Sequence, residues 1–162
     1  MKNAIIAVAA AAAILGTSAA AFAESWTLGD LVIENPAARA TPPNAPVSGG
    51  YMVIRNNGDE PDRLIGGAAD FAGKVEIHEM AMDGEVMKMR HLADGLEIPA
   101  HGEVTLKPGG YHVMFMQMKE QLQPDTKRTI TLQFEKAGTI DVDADVLDPA
   151  KLQMRMKMKM GN

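Results

Sequence analysis

The chain has 162 residues, thirteen methionines, no cysteine and a formal net charge of −5. The length is typical of one domain. Without cysteine there can be no disulfide bridge, thiolate zinc site, iron–sulfur cluster or cysteine nucleophile. The few aromatic residues (one Trp, two Tyr, four Phe) and the negative charge argue against a nucleic-acid-binding protein.

Residues 1–23 have the layout of a secretory signal peptide. Lys2 precedes an apolar run from Ala4 to Leu15, and small residues follow as far as Ala23. The run is shorter than the ~20 residues of a transmembrane helix, so we expect cleavage after Ala23 and not an uncleaved anchor. Export to the periplasm is therefore predicted. No cysteine follows the cleavage point, so lipid anchoring is not indicated.

The rest of the chain reads as short apolar or alternating runs separated by Pro, Gly and Asn. This pattern predicts an all-β sandwich or barrel of about eight or nine strands. Residues 24–149 are expected to form the domain, and residues 150–162 a flexible tail rich in Met and Lys. The predicted strands are 31–33, 51–54, 63–68, 74–82, 85–92, 103–106, 111–118, 128–134 and 139–146.

A hairpin is predicted around Asp83-Gly84, a dipeptide that favours two-residue turns. With these two residues at the tip, His78 lies opposite Met89 and Met80 lies opposite Met87. Side chains alternate between the faces of a strand, so one face of the hairpin carries an imidazole and several thioethers.

A second pair, His112 and Met114, lies two residues apart on another predicted strand. The two side chains then point the same way, ~7 Å apart. Two imidazoles and two thioethers make a soft, uncharged ligand set that suits Cu(I) better than Zn²⁺, Mg²⁺ or Ca²⁺. The alternative is a core that uses methionine to fill irregular gaps.

The tail alternates methionine with basic residues. As a strand it would place all its thioethers on one face, as a second Cu(I) site that captures or hands over metal. The alternative is a frayed terminus. Its cations would attract an acidic partner or anionic lipid. The remaining histidines, His91 and His101, read as solvated loop residues. The tail methionines are Met154, Met156, Met158 and Met160.

The spacing of these residues resembles that of the periplasmic copper chaperones called PCu(A)C. Ten residues separate His78 from Met89, and His112-Val113-Met114 completes the pattern. The gap between Met89 and His112 is one residue longer than in the family. Flanking sequences also match, and the likeness extends from Val47 to Val146. The matching flanking sequences are Gly50-Tyr51-Met52, Arg55-Asn56, Asp62-Arg63-Leu64-Ile65-Gly66, Leu96-Glu97-Ile98-Pro99 and Pro108-Gly109-Gly110-Tyr111.

The resemblance implies a cupredoxin-like Greek-key barrel that holds Cu(I) through His78, Met89, His112 and Met114. It implies a carrier without catalysis that delivers copper towards cytochrome c oxidase, alongside a thiol-bearing Sco-type partner. We expect a monomer. Met80 and Met87 would be auxiliary donors beside the site.

Three other functions remain open from the sequence. The first is copper storage or resistance buffering, and the second is a generic β-sandwich interaction module. The third is a copper redox enzyme, which the absence of a cysteine thiolate disfavours.

Overall fold

The computed structural model describes residues 24–160, and side-chain surroundings for residues 24–158. The predicted signal peptide lies outside the described residues. Within them the chain forms eleven strands followed by one helix. The elements are β1 (Ser25–Leu28), β2 (Leu31–Arg39), β3 (Val47–Asn56), β4 (Asp62–Ala68), β5 (Ala72–Asp83), β6 (Val86–His91), β7 (Leu96–Ile98), β8 (Glu103–Leu106), β9 (Tyr111–Met118), β10 (Lys127–Phe134), β11 (Gly138–Leu147) and α1 (Pro149–Met160).

The strands form one sheet that curls around a single main core. The order is β6-β5-β9-β3-β2-β11-β10-β4-β7, with β1 paired to β2 and β8 paired to β3. Side chains from both halves of this path meet in the same apolar cluster, such as Ile77 of β5, Phe115 of β9 and Leu132 of β10. The all-β prediction is confirmed, and Val, Ile, Leu and Phe supply most of the core.

The strand count exceeds the predicted eight or nine because the hydrophobic pattern of two short strands, β1 and β7, is too weak to predict a strand. In addition, β2 does not stop at Asn35-Pro36 as predicted. Asn35 has a positive φ of 50° and the pairing with β3 shifts register between Glu34 and Ala37. This bulge accommodates Pro36, which cannot donate a ladder hydrogen bond, so the strand continues to Arg39.

The register predicted for the hairpin is wrong by two residues. The turn is formed by Gly84 and Glu85, with Gly84 at a positive φ of 65°. Glycine at the first loop position is the mark of a type II′ turn, whereas the prediction placed Asp83 and Gly84 in the loop. A two-residue slip keeps every side chain on its predicted face. The observed partners are His78 with His91, Met80 with Met89, Met82 with Met87 and Asp83 with Val86.

The Met- and Lys-rich tail is a helix, so the strand considered for it is wrong for residues 149–158. Asp148 accepts a hydrogen bond from the Lys151 amide at 2.9 Å, and Pro149 occupies the first helical position. These are favoured residues for a helix start. Among the described residues, no helix has the length and apolarity that a membrane crossing requires.

Burial and charge hold α1 against the sheet. Leu152 is 2% exposed and packs with Ala37, Tyr51 and Leu147. Arg155 forms an ion pair with Asp145 at 2.8 Å, and Lys151 pairs with Asp125 at 2.6 Å. Two basic residues of the tail are therefore paired with acids of this chain, where the sequence predicted an external acidic partner or lipid.

Candidate metal site

Three neighbouring strands, β6, β5 and β9, turn a face rich in nitrogen and sulfur donors away from the core. The alternate residues, such as Ile77, Val113 and Phe115, are buried in the core. Register and alternation place the donors on the outer face. They are His78, Met80 and Met82 on β5, Met87, Met89 and His91 on β6, and His112, Met114 and Met116 on β9.

His78 lies on the middle strand of the three and is 8% exposed. Its Nε2 is 2.8 Å from Glu76 Oε2. A carboxylate only accepts hydrogen bonds, so Nε2 carries the proton and the neutral ring has its lone pair on Nδ1. That Nδ1 is buried without a hydrogen-bond partner among the described residues. A buried, unpartnered lone pair costs free energy unless something binds it.

Glu76 fixes the orientation of this ring. The Glu76 pKa is lowered to about 2, first by its hydrogen bond from Lys74 and next by that from His78. The carboxylate is therefore ionised at neutral pH. A carboxylate that orients the non-ligating nitrogen of a histidine is the usual outer partner at metal sites.

His112 lies directly opposite His78 on β9, with the two ring centres 5.8 Å apart. His112 Nδ1 donates to the Gly110 carbonyl at 3.1 Å, which leaves the lone pair on Nε2. Gly109, at a positive φ of 79°, forms the turn that brings this carbonyl under the ring. Burial lowers the His112 pKa, the Gly110 hydrogen bond opposes this, and His78 lowers it further.

The two predicted thioether ligands reach the same place as His112. Met89, His112 and Met114, together with Met80, line one open groove of about 740 Å³. Met114 is partly buried and Met89 is 49% exposed. His78 is not among the groove residues, and its contact with the group is through His112. The structure thus places three predicted ligands on one groove and the fourth beside it.

His91 is the residue of this face that sequence reasoning missed. It belongs to β6 and not to a loop, and it lies directly opposite His78 with ring centres 5.4 Å apart. One signal was available: His78-x-Met80, Met89-x-His91 and His112-x-Met114 repeat the same two-residue spacing. His101 lies far from these strands, on a turn where its Nε2 contacts Asp59 at 2.7 Å.

The model of the family described as "Putative lipoprotein LpqE-like" matches residues 31–146. The chain belongs to this LpqE-like family. A curated relative, "Putative lipoprotein Lxx21020" of Leifsonia xyli subsp. xyli (strain CTCB07), is 30% identical over 95 residues. These residues are 59% of this chain and 57% of the relative, so the match spans little more than half of that protein.

Solved structures of PCuAC domains are similar to this LpqE-like chain. The copper-bound PCuAC domain from PmoF2 is 30% identical with a TM-score of 0.66, over 78% of this chain and 99% of that domain. The CuI-DR1885 structure from Deinococcus radiodurans is 29% identical with a TM-score of 0.59, over 78% and 83%. The resemblance to PCuAC proteins and the cupredoxin-like fold are confirmed.

Met154, Met156 and Met158 do not share a face, because α1 is a helix. Met154 and Met158 are 61% and 69% exposed, and they are four residues apart on one side. Met156 is partly buried against the cluster around Leu152. The side chain of Met160 lies outside the described residues.

The chemistry of the donor face is set by its sulfur atoms. Among residues 24–158, no three His, Asp or Glu side chains are grouped so that they could hold one metal ion. A site on this face therefore needs thioethers to complete it. Thioethers and neutral imidazoles select a soft ion such as Cu(I) over hard divalent ions.

Proposed function

We propose that this LpqE-like chain is an exported copper chaperone that binds Cu(I) through His78, Met89, His112 and Met114. The observation that carries the proposal is the buried Nδ1 of His78, which has no hydrogen-bond partner within the described residues. Glu76 and the Gly110 carbonyl each accept a hydrogen bond from the N–H of one imidazole, so the other nitrogen of each ring can donate its lone pair to a metal. The similarity to copper-bound PCuAC domains supports copper as the ion.

This ligand set suits a protein that carries copper and gives it up. No ligand is a thiolate, so none can be lost to disulfide formation in an oxidising compartment. The two imidazoles are buried, whereas Met89 is 49% exposed. An incoming ligand from a partner can therefore approach from the Met89 side before the histidines release the ion.

The acceptor follows from the resemblance to periplasmic copper chaperones. We propose delivery towards the copper-bearing subunit of cytochrome c oxidase, with a Sco-type thiol protein as a second partner. The chain would act in the periplasm, after cleavage following Ala23, and without catalysis of its own. Copper is its cargo.

A competition titration tests the site. Purified protein is titrated anaerobically with Cu(I) against a chromophoric Cu(I) chelator, with His112→Ala as the variant and His101→Ala as the control. Loss of a ligand should weaken binding more than ~100-fold, since even outer partners of metal ligands contribute 10–100-fold. His101→Ala should bind as the unaltered protein does. Equal affinity for all three proteins would refute the ligand assignment.

Storage is the second candidate, and the additional exposed thioethers favour it. Met82 and Met87 are 62% and 49% exposed on the hairpin. Copper transfer to an acceptor protein distinguishes delivery from storage. A chaperone loaded with Cu(I) passes it to a purified oxidase copper domain, and the His112→Ala protein does not. A store keeps its copper in the same mixture.

We propose that the auxiliary methionines differ in how much they can contribute to copper binding. Met80 lines the groove with Met89, whereas Met87 lies opposite Met82 near the hairpin tip. On the part of the helix whose side chains are described, Met154 and Met158 form an exposed pair. Two thioethers are half of a four-ligand site, so copper held by the helix would need donors from a partner.

A further inference from the structure

The donor face contains more ligands than one copper ion can use. Each of its three strands carries one His and one Met separated by a single residue, which gives three imidazoles and three thioethers. Four of these residues make the site proposed above. Met80 and His91 remain, and both are neighbours of those four.

Among the described residues, the three imidazoles are not grouped as one three-histidine metal site. They form a row across the sheet in which His78 is the middle ring, 5.4 Å from His91 on one side and 5.8 Å from His112 on the other. Among the described residues, no group of three such side chains could share a metal ion. The row therefore divides into two halves. The inner half, between β5 and β9, contains His112, and the outer half, between β5 and the edge strand β6, contains His91.

Each half has the same local geometry. On the inner side His78 is directly opposite His112, and Met114 follows His112 by two residues. On the outer side Met80 is directly opposite Met89, and His91 follows Met89 by two residues. In both, two donors are cross-strand neighbours with Cβ atoms ~5 Å apart and the third lies ~7 Å along one strand.

We propose that Met80, Met89 and His91 form a second, outer Cu(I)-binding position at the edge of the sheet. The inference rests on the proposed copper function and extends it. Met89 belongs to both sets, so the two positions are successive places for one ion. The outer set contains two thioethers and one imidazole, which makes it the softer of the two.

The surroundings of the outer position fit a place of exchange. β6 is an edge strand whose six residues are all exposed. The cations Lys88 and Arg90 of β6 lie on the other face, where Arg90 Nε donates to Glu79 Oε1 at 2.8 Å and Lys88 pairs with Asp83. The ionised Glu76 adds a negative charge that also acts on His91. A partner can reach this side of the ion without moving the core.

The test measures the copper affinity that remains when the inner position is broken. His112→Ala is combined with His91→Ala, and in a matched control with His101→Ala. Each protein is titrated anaerobically with Cu(I) against a chromophoric chelator. We expect His112→Ala to keep weak binding, which His91→Ala lowers by a further ~10-fold or more and His101→Ala leaves unchanged.

The same test is run with Met114→Leu in place of His112→Ala, in case the buried His112 is needed for folding. Circular dichroism confirms that each variant is folded. No residual binding in either inner variant, or residual binding indifferent to His91→Ala, overturns the outer position while the inner site stands. If neither inner substitution weakens binding at all, the proposed function itself fails.

Discussion

The molecule has two methionine-rich regions that look alike in sequence and differ in structure. On β9 and the hairpin, residues two apart share a face and their sulfur atoms converge with imidazoles. On α1 the same two-residue spacing separates Met154 from Met156, of which one is exposed and the other packs inward. A spacing has chemical meaning only with the backbone that carries it, because strands repeat every 2 residues and helices every 3.6.

The two regions also differ in how their donors are prepared. On the sheet, Glu76 and the Gly110 carbonyl fix the protons of two imidazoles and leave their lone pairs directed away from these partners. On α1, within the described part, there is no histidine and the exposed thioethers stand on a solvent-facing side. Two imidazoles of the sheet are thus held in fixed orientations, whereas α1 contributes Leu152 and Met156 to packing.

The largest contrast is expected when thioethers are removed from each region. Met89→Leu with Met114→Leu should weaken Cu(I) binding more than ~100-fold, because two of four ligands are lost. Met154→Leu with Met158→Leu on α1 should leave the affinity unchanged. Anaerobic chelator competition measures both. A comparable loss from the helix pair would show that α1 is a copper site.

The reverse contrast is expected for stability. Leu152→Ala should lower the free energy of unfolding by about 2–3 kcal/mol, since it empties a buried position between α1 and the sheet. Met158→Ala, at an exposed position, should change it by less than ~0.5 kcal/mol. Urea denaturation followed by circular dichroism compares the two. Equal effects would mean that α1 does not dock through Leu152.

A smaller effect is expected from the carboxylate beside His78. Glu76→Gln keeps a hydrogen-bond acceptor but removes the negative charge, so Cu(I) affinity should fall about 10-fold. Glu97→Gln, on the opposite end of the sheet path where Glu97 pairs with Arg63, is the matched control. An unchanged affinity for Glu76→Gln would show that this carboxylate does not support the site.

The smallest effect concerns pH. Burial lowers the His112 pKa, so this ring stays neutral below the ordinary value of ~6.5. As pH falls from ~6.5 to the lower folded value, the unfolded chain gains the proton first and stability decreases. Copper affinity should likewise decline as His112 titrates. NMR titration of the metal-free protein should place the His112 midpoint below 6.5; a midpoint above that value contradicts the assignment.

The local pattern predicted the strands of the site well. β8 and β9 have their predicted bounds, and the donor face is right because alternation depends only on the parity of residue positions. Parity also explains why a hairpin wrong by two residues still presented the correct side chains. Partners across the hairpin depend on the turn, and choosing Gly84-Glu85 over Asp83-Gly84 moved His91 from a presumed loop to a position opposite His78.

The sequence by itself determined an all-β domain, a soft ligand set and the face that carries it, since these follow from residue type and from the two-residue repeat of a strand. Only the tertiary structure decided which donors are neighbours, where their protons lie and that the tail is a helix. Those properties depend on contacts between separate segments: Asp145 with Arg155, the Gly110 carbonyl with the Met80 amide of β5, and β5 placed between β6 and β9. Burying Leu152 gains free energy that favours the helix over the strand suggested by the alternating pattern of the tail. This gain comes from tertiary packing, which local sequence rules do not include.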